Sequence, residues 1–301
     1  MSLAEKTTLD PAAGSQLVDD DEGLLELSGR VTRIRPASKV PHLDFHELWT
    51  YRELAATFAW RDFKVRYKQS LIGVAWAIIQ PVMTMIVFTF IFGTFAHVPS
   101  QGLPYPVFSY SGILPWTYFA SALGAASGSL AMNSSLVTKI YFPRILLPLA
   151  AITVPAVDFI LATSVLFGLM AYYSLSVGPH VLLAPLFMVL AAATALGVGL
   201  TFSVINVRYR DVPYAIPFII QIWLFLSPVI YPIKALHQPW ERLLLSLNPM
   251  SGVITGFRWA LLGTPPPSAL LTLLSVLSAF GFLAFGVVFF RRSEPRFADT
   301  I

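Results

Sequence analysis

The sequence contains no cysteine, and only 12% of its 301 residues are charged. The absence of cysteine excludes disulfides, thiolate metal sites and cysteine nucleophiles together. Hydrophobic residues make up 56% of the chain, and its mean hydropathy is +0.69. These values lie far outside the usual range of soluble proteins, so the composition indicates a chain that is mostly buried in lipid.

Catalytic and nucleotide-binding motifs are also missing. The five histidines are scattered over the N-terminal segment and the loops, and none is spaced for metal ligation. The sequence has no G-x-x-x-x-G-K-[ST] motif, so the usual P-loop chemistry is absent. We therefore predict that this chain is not an enzyme and holds no cofactor or metal, and that another subunit binds any ATP and magnesium.

The basic residues do not form a separate domain, although the isoelectric point is about 9.3. Lysine and arginine cluster beside apolar segments, as the topology of a membrane protein requires, so we expect no nucleic-acid partner. Residues 1–22 show no apolar core of a cleavable signal peptide and include an acidic run at 19–22. Residues 1–43 are predicted to form a flexible cytosolic tail.

One apolar run fixes the direction of the chain. Residues 72–95 contain no charged side chain, and Arg61, Lys64, Arg66 and Lys68 precede them. About 20 apolar residues cross a bilayer, and cationic flanks stay on the cytoplasmic side. The N-terminus is therefore predicted to lie inside.

The fold predicted from the apolar segments is an all-α integral membrane protein with six transmembrane helices. Within a permease domain at 71–290, the predicted spans are 72–95, 107–131, 145–173, 181–206, 213–233 and 269–290. Pro115 and Pro155 are candidate kinks. Residues 291–301 are predicted to form a second cytosolic tail.

The charge of the loops supports this orientation. The predicted inside loops carry the basic residues Lys139, Arg144, Arg208, Arg210, Arg291, Arg292 and Arg296. The first two outside loops contain no lysine or arginine. The third outside segment breaks the pattern with Lys234, Arg242 and Arg258, but long external segments obey the charge rule less strictly.

Residues 44–70 are predicted to hold an amphipathic helix on the cytoplasmic membrane face. Asp44 and Glu47 are spaced like a helix N-cap and its partner, and Trp49, Trp60 and Tyr67 recur at near-helical spacing among charged residues. The alternative is an ordinary soluble helix docked on another domain.

The third outside segment, residues 234–267, is too polar to span a bilayer, yet it is rich in large apolar residues. Asn248 followed by Pro249 is typical of a helix start. We predict two short re-entrant helices in the outer leaflet; the alternative is a loop that rests on the membrane surface.

Polar and aromatic side chains recur inside the predicted spans. The candidate translocation path comprises Trp76, Gln80, Thr84, Gln221, Phe225 and Tyr231. Sugars stack on aromatic rings and hydrogen-bond to amides, but aromatic residues at helical spacing also serve as packing or interfacial anchors. Asp158 lies deep in the third span and forms either a structural bond between helices or part of a coupling or substrate site.

Five ordered motifs resemble the ABC-type-2 permeases that export bacterial polysaccharides. They are residues 61–76 (RDFKVRYKQSLIGVAW, followed by Gln80-Pro81), 133–144 (NSSLVTKIYFPR), 206–212 (NVRYRDV), 226–232 (LSPVIYP) and 297–299 (FAD). The resemblance covers about residues 45–301.

That resemblance implies the permease subunit of an exporter for a lipid-linked polymer such as O-antigen, the polysaccharide of lipopolysaccharide, in the bacterial inner membrane. It implies a homodimer with two nucleotide-binding ABC ATPase subunits. Contacts with the ATPase would involve Lys139, Tyr141, Phe142, Pro143, Arg144, Arg208, Tyr209, Arg210 and Asp211. The interface or gate helix would present Trp60, Arg61, Lys64, Arg66 and Tyr67.

Other interpretations stay open at this point. The loop at 139–144 contains the first of the implied ATPase contacts. The alternative is that it is a plain turn whose positive charges only set the topology. An exporter of the same architecture for a drug or small lipid is one alternative function. A membrane-embedded sugar transferase is another.

Overall fold

The structure is a computed structural model that describes residues 45–68, 73–209, 211–233 and 238–297. The predicted N-terminal tail therefore lies outside the described residues. In the described ranges the regular elements are all helices and there is no strand, which confirms the all-α prediction for that part of the molecule. The helices are α1 (Phe45–Thr50), α2 (Arg52–Tyr67), α3 (Ala75–Phe88), α4 (Tyr105–Met132), α5 (Ser134–Lys139), α6 (Leu146–Ala151), α7 (Thr153–Tyr172), α8 (Ala184–Arg208), α9 (Val212–Phe225), α10 (Pro239–Leu247), α11 (Pro249–Leu262) and α12 (Ala269–Ser293).

Four helical segments are long and apolar enough to cross a membrane. They are Ala75–Phe95, in which α3 widens into a π-helix at Thr89–Phe95, Leu146–Tyr172, Val181–Arg208 and Ala269–Ser293. They coincide with the first, third, fourth and sixth predicted spans. The chain is therefore an integral membrane protein that passes through the bilayer several times.

The second and fifth predicted spans differ from these four. Helix α4 has 28 residues, or about 42 Å at 1.5 Å per residue, but its serines, glycines and tyrosines make it less apolar. Helix α9 has only 14 residues, whereas the prediction extended to residue 233. It ends at Phe225 because Pro228 cannot continue a helix and disfavours helical backbone at Ser227.

Proline marks one of the two expected kinks. The third span breaks at Ile152, between α6 and α7. Pro155 has no N–H to donate to the carbonyl of Ala151, so the helical ladder is interrupted there. Helix α4, by contrast, runs through Pro115 as one continuous helix.

Helix α4 is the centre of the bundle. It packs against α3, α7, α8 and α11, and its Tyr110, Phe119 and Leu123 side chains are completely buried. Helix α8 also packs closely on α12, where the carbonyl of Gly197 faces the α-carbon of Gly286 with no room for a side chain. Small residues allow membrane helices to approach at such short range.

The predicted interface helix is divided into α1 and α2 at Tyr51. Asp44, its expected N-cap, lies outside the described residues. Trp49 and Trp60 are exposed, while Phe58 is buried. Phe58 belongs to a second hydrophobic cluster, in which α2, α5, α6 and the end of α12 meet.

The expected pair of short helices after the fifth span is present as α10 and α11. Asn248 caps α11, because its side-chain oxygen accepts a hydrogen bond from the Met250 N–H at 3.0 Å, and Pro249 is the first helical residue. The predicted helix start is confirmed. The Asn248 side chain also accepts from Trp223 Nε1 and donates to the Leu226 carbonyl, which ties α11 to the end of α9.

The last span continues past its predicted end at residue 290. Helix α12 reaches Ser293 and a 3₁₀ turn follows at Glu294–Arg296. Phe297 is buried against Phe290, with ring centroids 5.5 Å apart. The first part of the predicted C-terminal tail is therefore packed on the bundle.

Candidate functional site

A cavity of about 440 Å³ lies between α3, α4 and α7. Its wall on α3 extends from Trp76 to Phe88, which is about 18 Å along the helix at 1.5 Å per residue. Both aromatic and polar side chains line the wall. They include Tyr67, Trp76, Gln80, Thr84, Phe88, Trp116, Thr117, Tyr118, Ser121, Asp158 and Phe159.

Three of the six predicted path residues line this cavity. Trp76, Gln80 and Thr84 follow one another along the exposed side of α3, and Thr84 donates a hydrogen bond to the Gln80 carbonyl at 3.0 Å. Because indole rings and amide groups are the partners of sugar rings, the wall suits a polyhydroxylated molecule.

The other three predicted path residues are not among the described residues of the cavity wall; α9 contributes Leu224 instead. Gln221 and Phe225 are exposed. Tyr231 donates its hydroxyl to the Phe225 carbonyl at 3.0 Å, across the turn that ends α9. The structure thus places the six residues in two separate groups.

Asp158 is bound by two consecutive residues of α2. The Arg66 guanidinium lies 2.6 Å from one carboxylate oxygen, and the Tyr67 hydroxyl donates a hydrogen bond to the other. The Asp158 side chain is only 15% exposed. A bond between helices is present, as one of the two interpretations of Asp158 expected, and all three side chains line the cavity.

The remaining interface-helix residues lie on a different surface of α2. Trp60 stacks on Phe63 with ring centroids 5.5 Å apart, and the Lys64 ammonium sits 5.2 Å from the Trp60 ring. Arg61 forms an ion pair with Asp62 at 2.8 Å. Trp60, Arg61 and Lys64 border a shallow groove on this surface. The five predicted residues therefore divide between this groove and the cavity.

The predicted coupling loop combines an exposed tip with a buried anchor. Lys139 is exposed and Tyr141 is 79% exposed. Phe142 and Pro143 are buried, and the Phe142 ring lies 5.5 Å from the Phe58 ring of α2. Two aromatic rings at this distance hold the loop on α2.

Arg144 anchors the other end of the loop to the C-terminal segment. Its backbone N–H donates to Glu294 Oε1 at 3.3 Å, and its Nη1 donates to the Glu294 carbonyl at 2.6 Å. The guanidinium also lies 5.7 Å from the Phe297 ring, and Arg291 pairs with Glu294 at 3.2 Å. No local pattern singles out Glu294, because its partner Arg144 is 150 residues away in the chain.

The second predicted contact lies between α8 and α9. Arg208, Tyr209 and Asp211 are exposed, and the Arg208 guanidinium lies 5.5 Å from the Tyr209 ring. Arg210 lies outside the described residues. The three described side chains offer both charges and an aromatic ring to a partner.

The sequence analysis places Arg258 among the basic residues of the third outside segment. In the structure it is only 2% exposed. Its guanidinium donates to the carbonyls of Pro228, Val229 and Phe108 at 2.6, 2.6 and 3.0 Å. It also lies 3.8 Å from the centre of the Phe108 ring. This side chain joins α11 to α4 and to the turn after α9.

Comparison with known proteins adds an independent observation. A family model described as ABC-2 type transporter matches residues 53–262. The matched region contains the cavity, the loop with Tyr141 and the segment with Arg208.

Curated relatives match most of the chain. An O-antigen export system permease protein RfbA of Myxococcus xanthus is 29% identical, covering 85% of this chain and 98% of that protein. A Klebsiella pneumoniae protein of the same name is 23% identical over 80% of this chain and 92% of its own length. The polysialic acid transport protein KpsM of Escherichia coli is 22% identical over 64% of this chain and 75% of its own length.

Proposed function

The chain belongs to the ABC-2 type transporter family, and on that premise we propose that it is the permease subunit of an ATP-driven exporter that moves a lipid-linked polysaccharide such as O-antigen. The observation that carries the proposal is the similarity over 85% of the chain to a relative named for O-antigen export. A second relative is named for transport of polysialic acid, which is also a sugar polymer.

The proposed topology has six spans in the bacterial inner membrane. The four long apolar segments, together with α4 and α9, make up the six spans. Helices α10 and α11 enter the outer leaflet from the external side. Both termini lie in the cytosol, as the cationic residues beside the spans favour. The capped start of α11 supports the re-entrant placement, since backbone within a membrane needs internal hydrogen bonds.

The proposed assembly contains two copies of this chain and two ABC ATPase subunits. This chain has no P-loop motif, so ATP and magnesium belong to the partner subunit. Lys139, Tyr141 and the exposed residues near Arg208 are the proposed contacts with the ATPase. Phe142, Pro143 and Arg144 would hold the contact loop in place, because they are anchored to α2 and the C-terminal segment.

The cavity beside Trp76, Gln80 and Thr84 is the proposed part of the glycan path within one subunit. Gln221, Phe225 and Tyr231 would contribute to the path from a separate surface. Exposed aromatic and polar side chains on α3 and α9 support this role, since a sugar polymer needs stacking surfaces and hydrogen-bond partners along its route.

Depletion of this protein tests the proposed function in cells. The expected result is loss of a polysaccharide from the cell surface and its accumulation inside, still attached to its lipid carrier. Immunoblots of surface and lysate fractions measure both pools. An unchanged surface polysaccharide together with a trapped small lipid would contradict the proposal.

Replacing Tyr141 with alanine tests the coupling loop. Because Tyr141 is 79% exposed, its loss removes little packing and the complex should keep its thermal stability within about 1 °C. Transport per ATP hydrolysed is expected to fall at least tenfold if the ring contacts the ATPase. Proteoliposomes that hold the whole complex allow export and hydrolysis to be measured together.

Tyr172 provides the matched control, because it is a tyrosine with 80% exposure at the opposite end of the third span. Tyr172→Ala should leave the transport-to-hydrolysis ratio unchanged. Equal ratios for Tyr141→Ala and the wild type would show that this loop does not couple the two subunits.

A further inference from the structure

The cavity contains an ion pair whose two members come from different parts of the fold. Asp158 lies on α7, six residues into the helix, whereas Arg66 and Tyr67 are the last two residues of α2. Among the described residues of the cavity wall, Arg66 is the basic side chain and Asp158 is the acidic one. A glycan path lined by aromatic and amide side chains does not by itself require an arginine or an aspartate.

A carboxylate within a span is costly, because insertion scales assign about 2.5–3.5 kcal/mol to aspartate at the centre of a membrane helix. Such a residue is retained where it meets a partner or water. Here both oxygens of Asp158 are occupied by α2, one by Arg66 and the other by Tyr67. The carboxylate therefore fixes the end of α2 against α7.

This contact is at the boundary of the cavity. Arg66 is about half exposed, whereas Asp158 is mostly buried, so the pair joins the outside of the bundle to the cavity wall. The ring centroids of Tyr67 and Phe63 lie 4.7 Å apart, and this contact helps to hold the Tyr67 side chain in place at the end of α2. Gly73 also lies on the wall, and its φ of +50° is a left-handed backbone conformation that glycine adopts without strain.

We propose that Asp158, Arg66 and Tyr67 form a latch that closes the α2 end of the cavity and must open for a glycan to enter. In the closed state the two α2 side chains cover the carboxylate. In the open state α2 moves away, and the carboxylate accepts hydrogen bonds from sugar hydroxyl groups in place of Tyr67. In this scheme Arg66 and Tyr67 are positioning residues, and Asp158 contacts the ligand in the open state. The scheme rests on the proposed function for the identity of the ligand.

An exchange of hydrogen-bond partners at Asp158 explains why the contact between α2 and α7 is ionic. A purely structural bond between α2 and α7 is satisfied by apolar packing at a lower desolvation cost. A carboxylate that alternates between a guanidinium and hydroxyl groups stays hydrogen-bonded in both states. The cavity wall offers Gln80 and Thr117 as further partners for a hydroxylated ligand.

The absence of native cysteines makes a direct test of the latch possible. A single cysteine replaces Thr117, a partly buried residue of the cavity wall, in the assembled complex. The labelling rate with a hydrophilic maleimide is then compared between the parent and Asp158→Asn. We expect at least fivefold faster labelling in the variant, because the neutral amide cannot hold Arg66 as an ion pair.

Two controls separate latch opening from other effects. Arg52→Gln breaks an exposed ion pair with Glu53 on the same helix, away from the cavity, and should leave the labelling rate unchanged. A cysteine at Ala122, which is completely buried, should stay unlabelled in Asp158→Asn unless the protein unfolds. Labelling of Thr117→Cys within twofold of the parent rate would overturn the proposal.

The labelling experiment also separates failure of the latch from failure of the proposed function. Labelling needs neither ATP nor polysaccharide, so it decides the latch even where the exporter assignment fails.

Discussion

Replacing Gly286 with alanine is expected to lower the thermal stability of the protein by at least 5 °C. The added methyl group would overlap the carbonyl of Gly197, which belongs to the backbone of α8 and cannot rotate away. Helices α8 and α12 would have to separate along one of the most extensive contacts of the bundle. Overpacking of this kind costs about 1–3 kcal/mol, and valine at the same position should cost more.

Gly281 is the matched control, because it lies on the same helix and a methyl group there meets no neighbour. Gly281→Ala should be neutral or slightly stabilising, since alanine favours a helix over glycine by up to about 1 kcal/mol. The two melting temperatures are measured in the same detergent by tryptophan fluorescence. Equal shifts for the two variants would show that close approach of α8 and α12 is unimportant for stability.

Replacing Arg258 with methionine is expected to destabilise the protein by about 3–5 kcal/mol. The change leaves the carbonyls of Pro228, Val229 and Phe108 buried without their donor, and each such group costs about 1–3 kcal/mol. Lysine should recover little of this loss, because a single ammonium cannot reproduce the planar fork of donors. Denaturation in a graded detergent series and proteolysis of the 226–230 turn measure the effect.

Gly112 offers an independent test of the same site. A methyl group at this position would collide with the Arg258 guanidinium, so Gly112→Ala should expose the same turn to proteolysis although Arg258 is retained. Arg292→Met removes an exposed arginine from α12 and serves as the control. Resistance of the turn in both Arg258→Met and Gly112→Ala would show that Arg258 does not hold it.

Local patterns in the sequence were sufficient to predict most helices. The charge-free run after Lys68 and the Asn248-Pro249 pair each depend on neighbours within a few residues, and both predictions agree with the structure. The predicted fifth span extends to residue 233, whereas α9 ends at Phe225. Hydropathy alone does not mark this end, which Pro228 imposes.

Contacts between distant residues were beyond such reasoning. The sequence indicates that Asp158 meets a partner group, but no local rule selects Arg66, which lies 92 residues earlier in the chain. Arg258 is separated by about 150 residues from the Phe108 carbonyl that it binds. Its burial depends on the packing of α11 against α4, which no local pattern specifies.

The anchoring of Phe142 has a mechanical consequence. Phe58, against which Phe142 packs, lies eight residues before Arg66 on the same uninterrupted helix, a distance of about 12 Å. Because Phe58 and Arg66 lie on one short helix, a movement of α2 at Phe58 also moves Arg66. In the assembly proposed above, a displacement of the loop at Tyr141 would therefore pass through Phe142 and α2 to the contact with Asp158.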